Sequence, residues 1–201
     1  MDLMELRRGL IHDPELPPQY KRVAYLQSSG TQYISTGLTY VYGYKAHMEL
    51  LDNPLPYDNL GYLGWWNSAS QNNIQSYSIN YRRYIVTRGT NNATYDIGTE
   101  MNGIITVDGT NISVNGRSHT GNAIPPDIGV QFLLFGYNRS TGVINCAGSC
   151  RIFGIEFWDS NHQTVKKFIP CVRASDNKPG MYETMTKSFC VNQGTGEFIV
   201  P

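Results

Sequence analysis

The sequence predicts an all-β protein, a two-sheet antiparallel β-sandwich with a short N-terminal helix. From Tyr20 onward, alternating apolar and polar runs recur about every eight to twelve residues, with turn residues between them. The chain has 201 residues, a length that suits one sandwich domain. Only 16% of the residues are charged. Abundant Tyr, Asn, Thr, Ser and Gly are typical of strands with uncharged polar faces.

The first segment, residues 1–19, is predicted to be a helix followed by a Pro-rich linker, ahead of a sandwich domain at 20–201. Leu3, Leu6 and Leu10 fall near one face of this helix, and the stretch HDPELPP ends it. A helix this short is marginal alone in water, so we expect it to dock on its own domain or on a neighbouring subunit. These leucines are the predicted assembly site.

Within the domain, the strands are predicted from alternation and turn residues. The run YKAHMELL alternates apolar and polar positions along one strand. Asp108-Gly109 joins two alternating runs and is a strong hairpin signal. The run VQFLLFGYN is nearly all apolar, which predicts a central strand covered on both faces. A long hairpin is expected to turn at Ser160-Asn161.

The C-terminal segment is predicted to close the fold and to carry no catalytic group. Thr186-Lys187 is expected to turn between two strands, and glycines near residue 195 permit a further bend. Tyr182, Phe189 and Phe198 have a spacing that suits the core.

The net charge of the chain indicates which classes of partner it can bind. Lys plus Arg and Asp plus Glu number 16 each, so the net charge is zero. A nucleic-acid or acidic-membrane partner needs a basic surplus, and no apolar run approaches the ~20 residues of a membrane helix. We therefore predict neither partner. The N-terminus MDLMELRRGLI is too charged for a signal-peptide core, so we expect no secretion by that route.

The four cysteines, Cys146, Cys150, Cys171 and Cys190, do not have the spacing of a zinc site, and no His lies near the first two. We interpret them as structural thiols and leave a Cys150–Cys171 disulfide open. Residues 52–59 have the Asp and Asn density of a calcium loop, but a Pro-rich turn is favoured. No metal and no cofactor are predicted.

The carboxylates do not predict an enzyme. A glycosidase needs two of them facing one bond, ~5 Å apart for retention or ~6.5–9.5 Å apart for inversion. Glu156 and Asp159 are three residues apart in one predicted strand, so they point to opposite faces, and Glu49 and Asp52 fail in the same way. No His lies in a nucleophile motif. We predict no catalytic residue.

The stretch GYLGWWNSASQNN is the predicted ligand site. Adjacent strand residues point to opposite faces, so one of its two tryptophans should enter the core while the other stays outside. An outward Trp beside amides is typical of a sugar platform. A partly buried surface Trp or a subunit contact is the alternative. The candidate ligand-binding residues are Trp65, Trp66, Asn67, Gln71, Asn72, Asn73, Tyr81 and Arg83.

Three stretches carry a resemblance to a known family: AYLQSSGTQYISTG, VDGTNISVNG and the C-terminal FGIEFWDSNHQTVKKFIPCVRASDNKPGMYETMTKSFCVNQGTGEF. Together they resemble concanavalin A-like (laminin-G-like) jelly-roll proteins encoded by gut-bacterial phages and prophages. The resemblance covers roughly residues 20–200, and its C-terminal part is the most specific. Relatives usually carry Tyr-Asp where this chain has Tyr182-Glu183, which is a mild departure.

The resemblance implies two stacked antiparallel sheets, one of them curved, whose concave face or rim loops take a ligand. Many relatives bind carbohydrate. The leading ELRRGLI resembles the short helix of phage-encoded members, which favours a virion location.

We therefore expect a non-catalytic virion protein, from a tail fibre, a neck or the capsid surface, that binds carbohydrate or another host-surface ligand. The alternative is a purely structural decoration or joining protein, and a glycoside hydrolase is the distant one. Other virion proteins are expected partners through the N-terminal helix. From the expected virion location alone, we expect a homo-oligomer, with a trimer as the first guess.

Overall fold

The computed structural model describes residues 15–51, 60–66, 70–77, 83–90, 94–98, 102–120, 123–139, 144–145 and 148–201. The described chain is all-β and contains no helix. The helix predicted around Leu3, Leu6 and Leu10 lies outside the described residues. The strands are β1 (Tyr20–Arg22), β2 (Leu26–Ser29), β3 (Ile34–Ser35), β4 (Gly43–Leu50), β5 (Gly61–Trp66), β6 (Ser70–Tyr77), β7 (Arg83–Thr90), β8 (Thr94–Gly98), β9 (Asn102–Asp108), β10 (Asn111–Val114), β11 (Arg117–Thr120), β12 (Leu133–Leu134), β13 (Tyr137–Arg139), β14 (Ile144–Asn145), β15 (Ser149–Trp158), β16 (Thr164–Arg173), β17 (Lys178–Glu183) and β18 (Ser188–Val191).

The large sheet is antiparallel and has the order β11-β10-β9-β4-β15-β16-β17-β18. Strands β15 and β16 pair only near their shared turn, from Ile155 opposite Phe168 to Trp158 opposite Thr164. Beyond that point β15 and β16 diverge, and we call the gap between them the fork. The N-terminal strands fill it, since β2 pairs with β15 and β1 pairs with β16.

The second sheet has the order β14-β13-β5-β6-β7-β8, and β12 bridges β3 and β5. Its pairs are antiparallel except for β13 beside β5, which is parallel. The chain reverses its pairing with β5 at Phe135, which has a φ of +65° between β12 and β13. A bulky residue in this region of φ interrupts a strand. The single strand predicted for VQFLLFGYN is therefore two short ones, although residues 132–137 are all buried.

The main core lies between the two sheets, which gives the molecule a sandwich-like architecture. In β4 the apolar residues predicted to alternate, Tyr44, Ala46, Met48 and Leu50, are all buried and face this core. Tyr44 contacts Phe132 and Phe157 with ring centroids 5.5 and 5.8 Å apart. The alternation read from the sequence thus identifies the buried face of the strand correctly.

The predicted hairpins at Asp108-Gly109 and Ser160-Asn161 are both confirmed, as is the turn at Thr186-Lys187. Phe198 enters the main core as predicted. Tyr182 and Phe189, in contrast, pack on the opposite face of the large sheet.

This opposite face carries a second, smaller core, in which Leu16 packs against β16 and β17. Leu16 is only 4% exposed. Tyr20 stacks on Phe189 with ring centroids 5.0 Å apart and contacts Tyr182 at 5.1 Å. The last residues of the predicted linker therefore pack onto the sandwich.

Two of the described cysteines, Cys150 and Cys171, lie on opposite faces of the large sheet. Cys150 belongs to the core between the sheets, whereas Cys171 belongs to the second core. This placement argues against a Cys150–Cys171 disulfide, the pairing left open above. Cys146 lies outside the described residues.

We expect Cys171 to resist alkylation in the folded protein. Burial raises the pKa of its thiol to about 12, so roughly one molecule in ten thousand carries the reactive thiolate at pH 8. Iodoacetamide treatment at pH 8, followed by peptide mass mapping, should leave Cys171 unmodified until guanidinium chloride is added. Equal labelling in the folded and the unfolded protein would contradict the placement.

Candidate functional site

The two adjacent tryptophans of β5 point to opposite faces of the second sheet. Trp65 is 1% exposed and belongs to the main core, whereas Trp66 is partly exposed. The prediction that one of them is buried is therefore confirmed. Asn72, the register partner of Trp65 on β6, is also 1% exposed. Of the two tryptophans, only Trp66 is therefore placed to contact a ligand on the outer face of this sheet.

Arg139 lies over the outward tryptophan. The parallel pairing of β13 with β5 places Arg139 directly opposite Trp66. The guanidinium carbon is 5.3 Å from the centroid of the Trp66 ring and 6.0 Å from that of Tyr137, and Nη2 donates a hydrogen bond to the Tyr137 hydroxyl at 3.5 Å. Such cation–π contacts are attractive and hold the guanidinium near the two rings.

Gly64 lies two residues before Trp66 on β5 and therefore on the same face of the second sheet. Gly64 is opposite Leu133, and its φ of +114° is in the region that favours glycine. Leu133 and Tyr137 are 2% and 1% exposed, yet neither belongs to the core between the sheets. We call this group the aromatic–arginine face: Trp66 and Arg139 are its partly exposed members, and Gly64, Leu133 and Tyr137 are its buried ones.

The structure brings together only some of the ligand-binding residues predicted from the sequence. Gln71 and Asn73 are the register partners of Trp66 and Gly64. Arg83 is opposite Tyr77 on β6. Tyr77 is six residues from Gln71 along this strand, a distance of roughly 20 Å, so Arg83 lies far from Trp66. Asn67 and Tyr81 lie outside the described residues.

Sequence reasoning missed Arg139 and Tyr137. The only signal was the alternation in Tyr-Asn-Arg directly after a long apolar run. That pattern does not reveal the partner strand, because β13 pairs in parallel with a strand about seventy residues earlier. Adjacent turn signals predict hairpins, but they do not predict parallel pairs.

Every acidic side chain that the structure describes has a structural partner. Glu49 accepts a hydrogen bond from Arg151 at 2.9 Å, and Glu156 accepts one from Thr164 at 2.6 Å. Asp159 accepts backbone N–H bonds at 2.8 and 3.0 Å in the turn that it begins. The hydrogen bond from the Arg173 guanidinium holds the pKa of Asp176 at about 2. These carboxylates stabilise turns and strand faces.

Within the described part of the chain, no cluster of three or more His, Cys, Asp or Glu residues has the arrangement to hold a metal ion. None of the segments described is a helix of the length and apolarity required to cross a membrane.

The fold and this face define an all-β protein of sandwich-like architecture with an aromatic and cationic surface on one sheet. Comparison with protein-family models, with curated proteins and with solved structures finds no significant match to the chain.

Proposed function

We propose that the chain is a non-catalytic glycan-binding module of a phage virion, built on a concanavalin A-like jelly roll, with the aromatic–arginine face as its binding surface. The observation that carries this proposal is the outward Trp66 with the Arg139 guanidinium 5.3 Å from its ring centroid. The virion setting rests on the sequence resemblance alone.

The chemistry of the face suits a sugar. An indole ring offers a flat apolar surface to the C–H groups of a pyranose, and a guanidinium offers several N–H donors to its hydroxyls.

The test is a glycan array probed with the wild-type protein and with Trp66→Ala. We expect binding to at least one glycan, and a loss of about tenfold or more in affinity for the variant, since the stacking surface is removed. Tyr40→Ala is the matched control, because Tyr40 is a surface aromatic residue that is 42% exposed and lies outside the face. It should bind like the wild type.

Binding to no glycan would overturn the proposal in favour of the purely structural alternative, a decoration or joining protein of the virion. Release of reducing sugar from a polysaccharide mixture would overturn the non-catalytic part. If Tyr40→Ala lost as much affinity as Trp66→Ala, the binding surface would lie elsewhere.

A further inference from the structure

A groove of about 320 Å³ opens on the outer face of the large sheet, at the fork where β15 and β16 diverge. The register of β15 against β4 shifts between Ile152 and Gly154, so the sheet surface is irregular there. A volume of this size fits a small ligand. The groove is lined by Glu15, Arg22, Lys45, His47, Phe153, Gly154, Ile155, Glu156, Lys167, Phe168 and Ile169.

One wall of the groove is a flat ring surface. Phe153 stacks on His47 with ring centroids 4.3 Å apart and an interplanar angle of 17°. Tyr25 supports Phe153 from the edge, with centroids 5.4 Å apart. His47 is exposed, so the stacked pair is reachable from solvent. A pyranose ring packs well on such a surface.

The lining also carries five charged side chains, the cations Arg22, Lys45 and Lys167 and the carboxylates Glu15 and Glu156. Lys45, Glu156 and Lys167 form one row across three neighbouring strands. Lys45 is exposed, and its ammonium group has no hydrogen bond or ion pair within the described part of the chain. Glu156 is fixed by a hydrogen bond from Thr164 at 2.6 Å.

The chain itself places a carboxylate in this groove. Glu15 pairs with Arg22 at 3.3 Å through one oxygen and with Lys167 through the other. Two of the three lining cations are thus arranged to hold a carboxylate, and the third, Lys45, remains available for another one.

We propose that this groove binds an acidic sugar, a pyranose that bears a carboxylate. The ring packs on Phe153 and His47, the carboxylate pairs with Lys45, and Glu156 accepts hydrogen bonds from hydroxyl groups. Glu15 competes with the ligand for Arg22 and Lys167. The proposal is independent of the aromatic–arginine face, which lies on the other sheet.

The test is titration calorimetry on the full chain at low salt, with a hyaluronan tetrasaccharide and 3′-sialyllactose as acidic probes and chitotetraose as the neutral one. We expect an acidic probe to bind, to weaken with added salt and to bind at least about fivefold more weakly to Lys45→Gln. Phe153→Leu keeps the apolar volume but removes the flat ring, and should also weaken binding. Glu15→Gln should tighten it by a few fold.

Two variants serve as controls. Lys21→Gln removes an exposed lysine of β1 that does not line the groove, and should bind like the wild type. Trp66→Ala should also leave this binding unchanged, which separates it from binding at the aromatic–arginine face. The proposal is overturned if neither acidic probe binds, if chitotetraose binds equally well, if sulfate at the same concentration displaces the sugar, or if Lys21→Gln weakens binding as much as Lys45→Gln.

Discussion

Replacement of Trp65 by alanine should lower the free energy of unfolding by about 3–5 kcal/mol. The Trp65 side chain is 1% exposed and lies in the core between the two sheets. Its removal forfeits the burial of a large aromatic side chain and leaves a cavity that the strands around it fill only in part. Urea unfolding followed by circular dichroism measures the loss.

The neighbouring Trp66→Ala variant is the matched comparison, since it deletes the same side chain one residue along the same strand. Because Trp66 is only partly buried, we expect a loss of about 1 kcal/mol or less. Equal losses in the two variants, or a larger loss at Trp66, would mean that the assignment of the two faces of β5 is wrong.

Glu183→Gln should cost about 2–4 kcal/mol at pH 7. The Glu183 carboxylate is 1% exposed and accepts hydrogen bonds from the Met185 and Thr186 backbone N–H groups at 2.8 and 2.9 Å. It also accepts bonds from the Thr186 hydroxyl and from Lys166 Nζ, the latter at 3.1 Å. The neutral amide of glutamine has one acceptor oxygen in place of two. Its NH2 group would face the N–H and O–H donors that now bind the second carboxylate oxygen.

The pH dependence of this loss has a defined sign. Burial raises the pKa of Glu183, but the hydrogen bonds from Thr186, Met185 and Lys166 lower it by more, so the net pKa lies below its usual value. A lowered folded-state pKa stabilises the protein above the unfolded-state pKa, roughly 4.3, and this contribution is lost as the pH falls through the folded-state value.

The difference between wild type and Glu183→Gln should therefore be full at pH 7 and shrink below about pH 4. Glu197→Gln is the control, because the Glu197 side chain is 57% exposed and pairs with the surface residue Lys178. Its loss should stay within about 0.5 kcal/mol. A difference at Glu183 that grows on acidification would contradict the account.

The parts of the fold that depend on local pattern were predictable from the sequence. The alternation of β4 identified its buried residues, and Asp108-Gly109 marked a hairpin that forms at that position. Both signals act over a few residues, where side-chain period and turn chemistry dominate. The split of the VQFLLFGYN run was not predictable, because it depends on a positive φ at Phe135 that the apolar pattern does not report.

The candidate sites were predictable only in part, because each depends on strands that are distant in sequence. Trp66 was identified from its position beside a buried neighbour, but Arg139 reaches it through a parallel pairing. The groove on the large sheet combines residues near positions 15–22, 45–47, 153–156 and 167–169. Glu183, interpreted from the sequence as a mild departure from a family pattern, is the buried acceptor of a turn.

The most direct test of the central claim is to follow the indole N–H resonances of the three tryptophans by NMR during titration with the glycan selected on the array. Single Trp→Phe variants assign the resonances. We expect the Trp66 indole resonance to shift on binding, while the Trp65 indole resonance stays unshifted and its N–H stays protected from exchange with solvent. A shift confined to Trp158, or an unshifted Trp66 in the saturated complex, would contradict it.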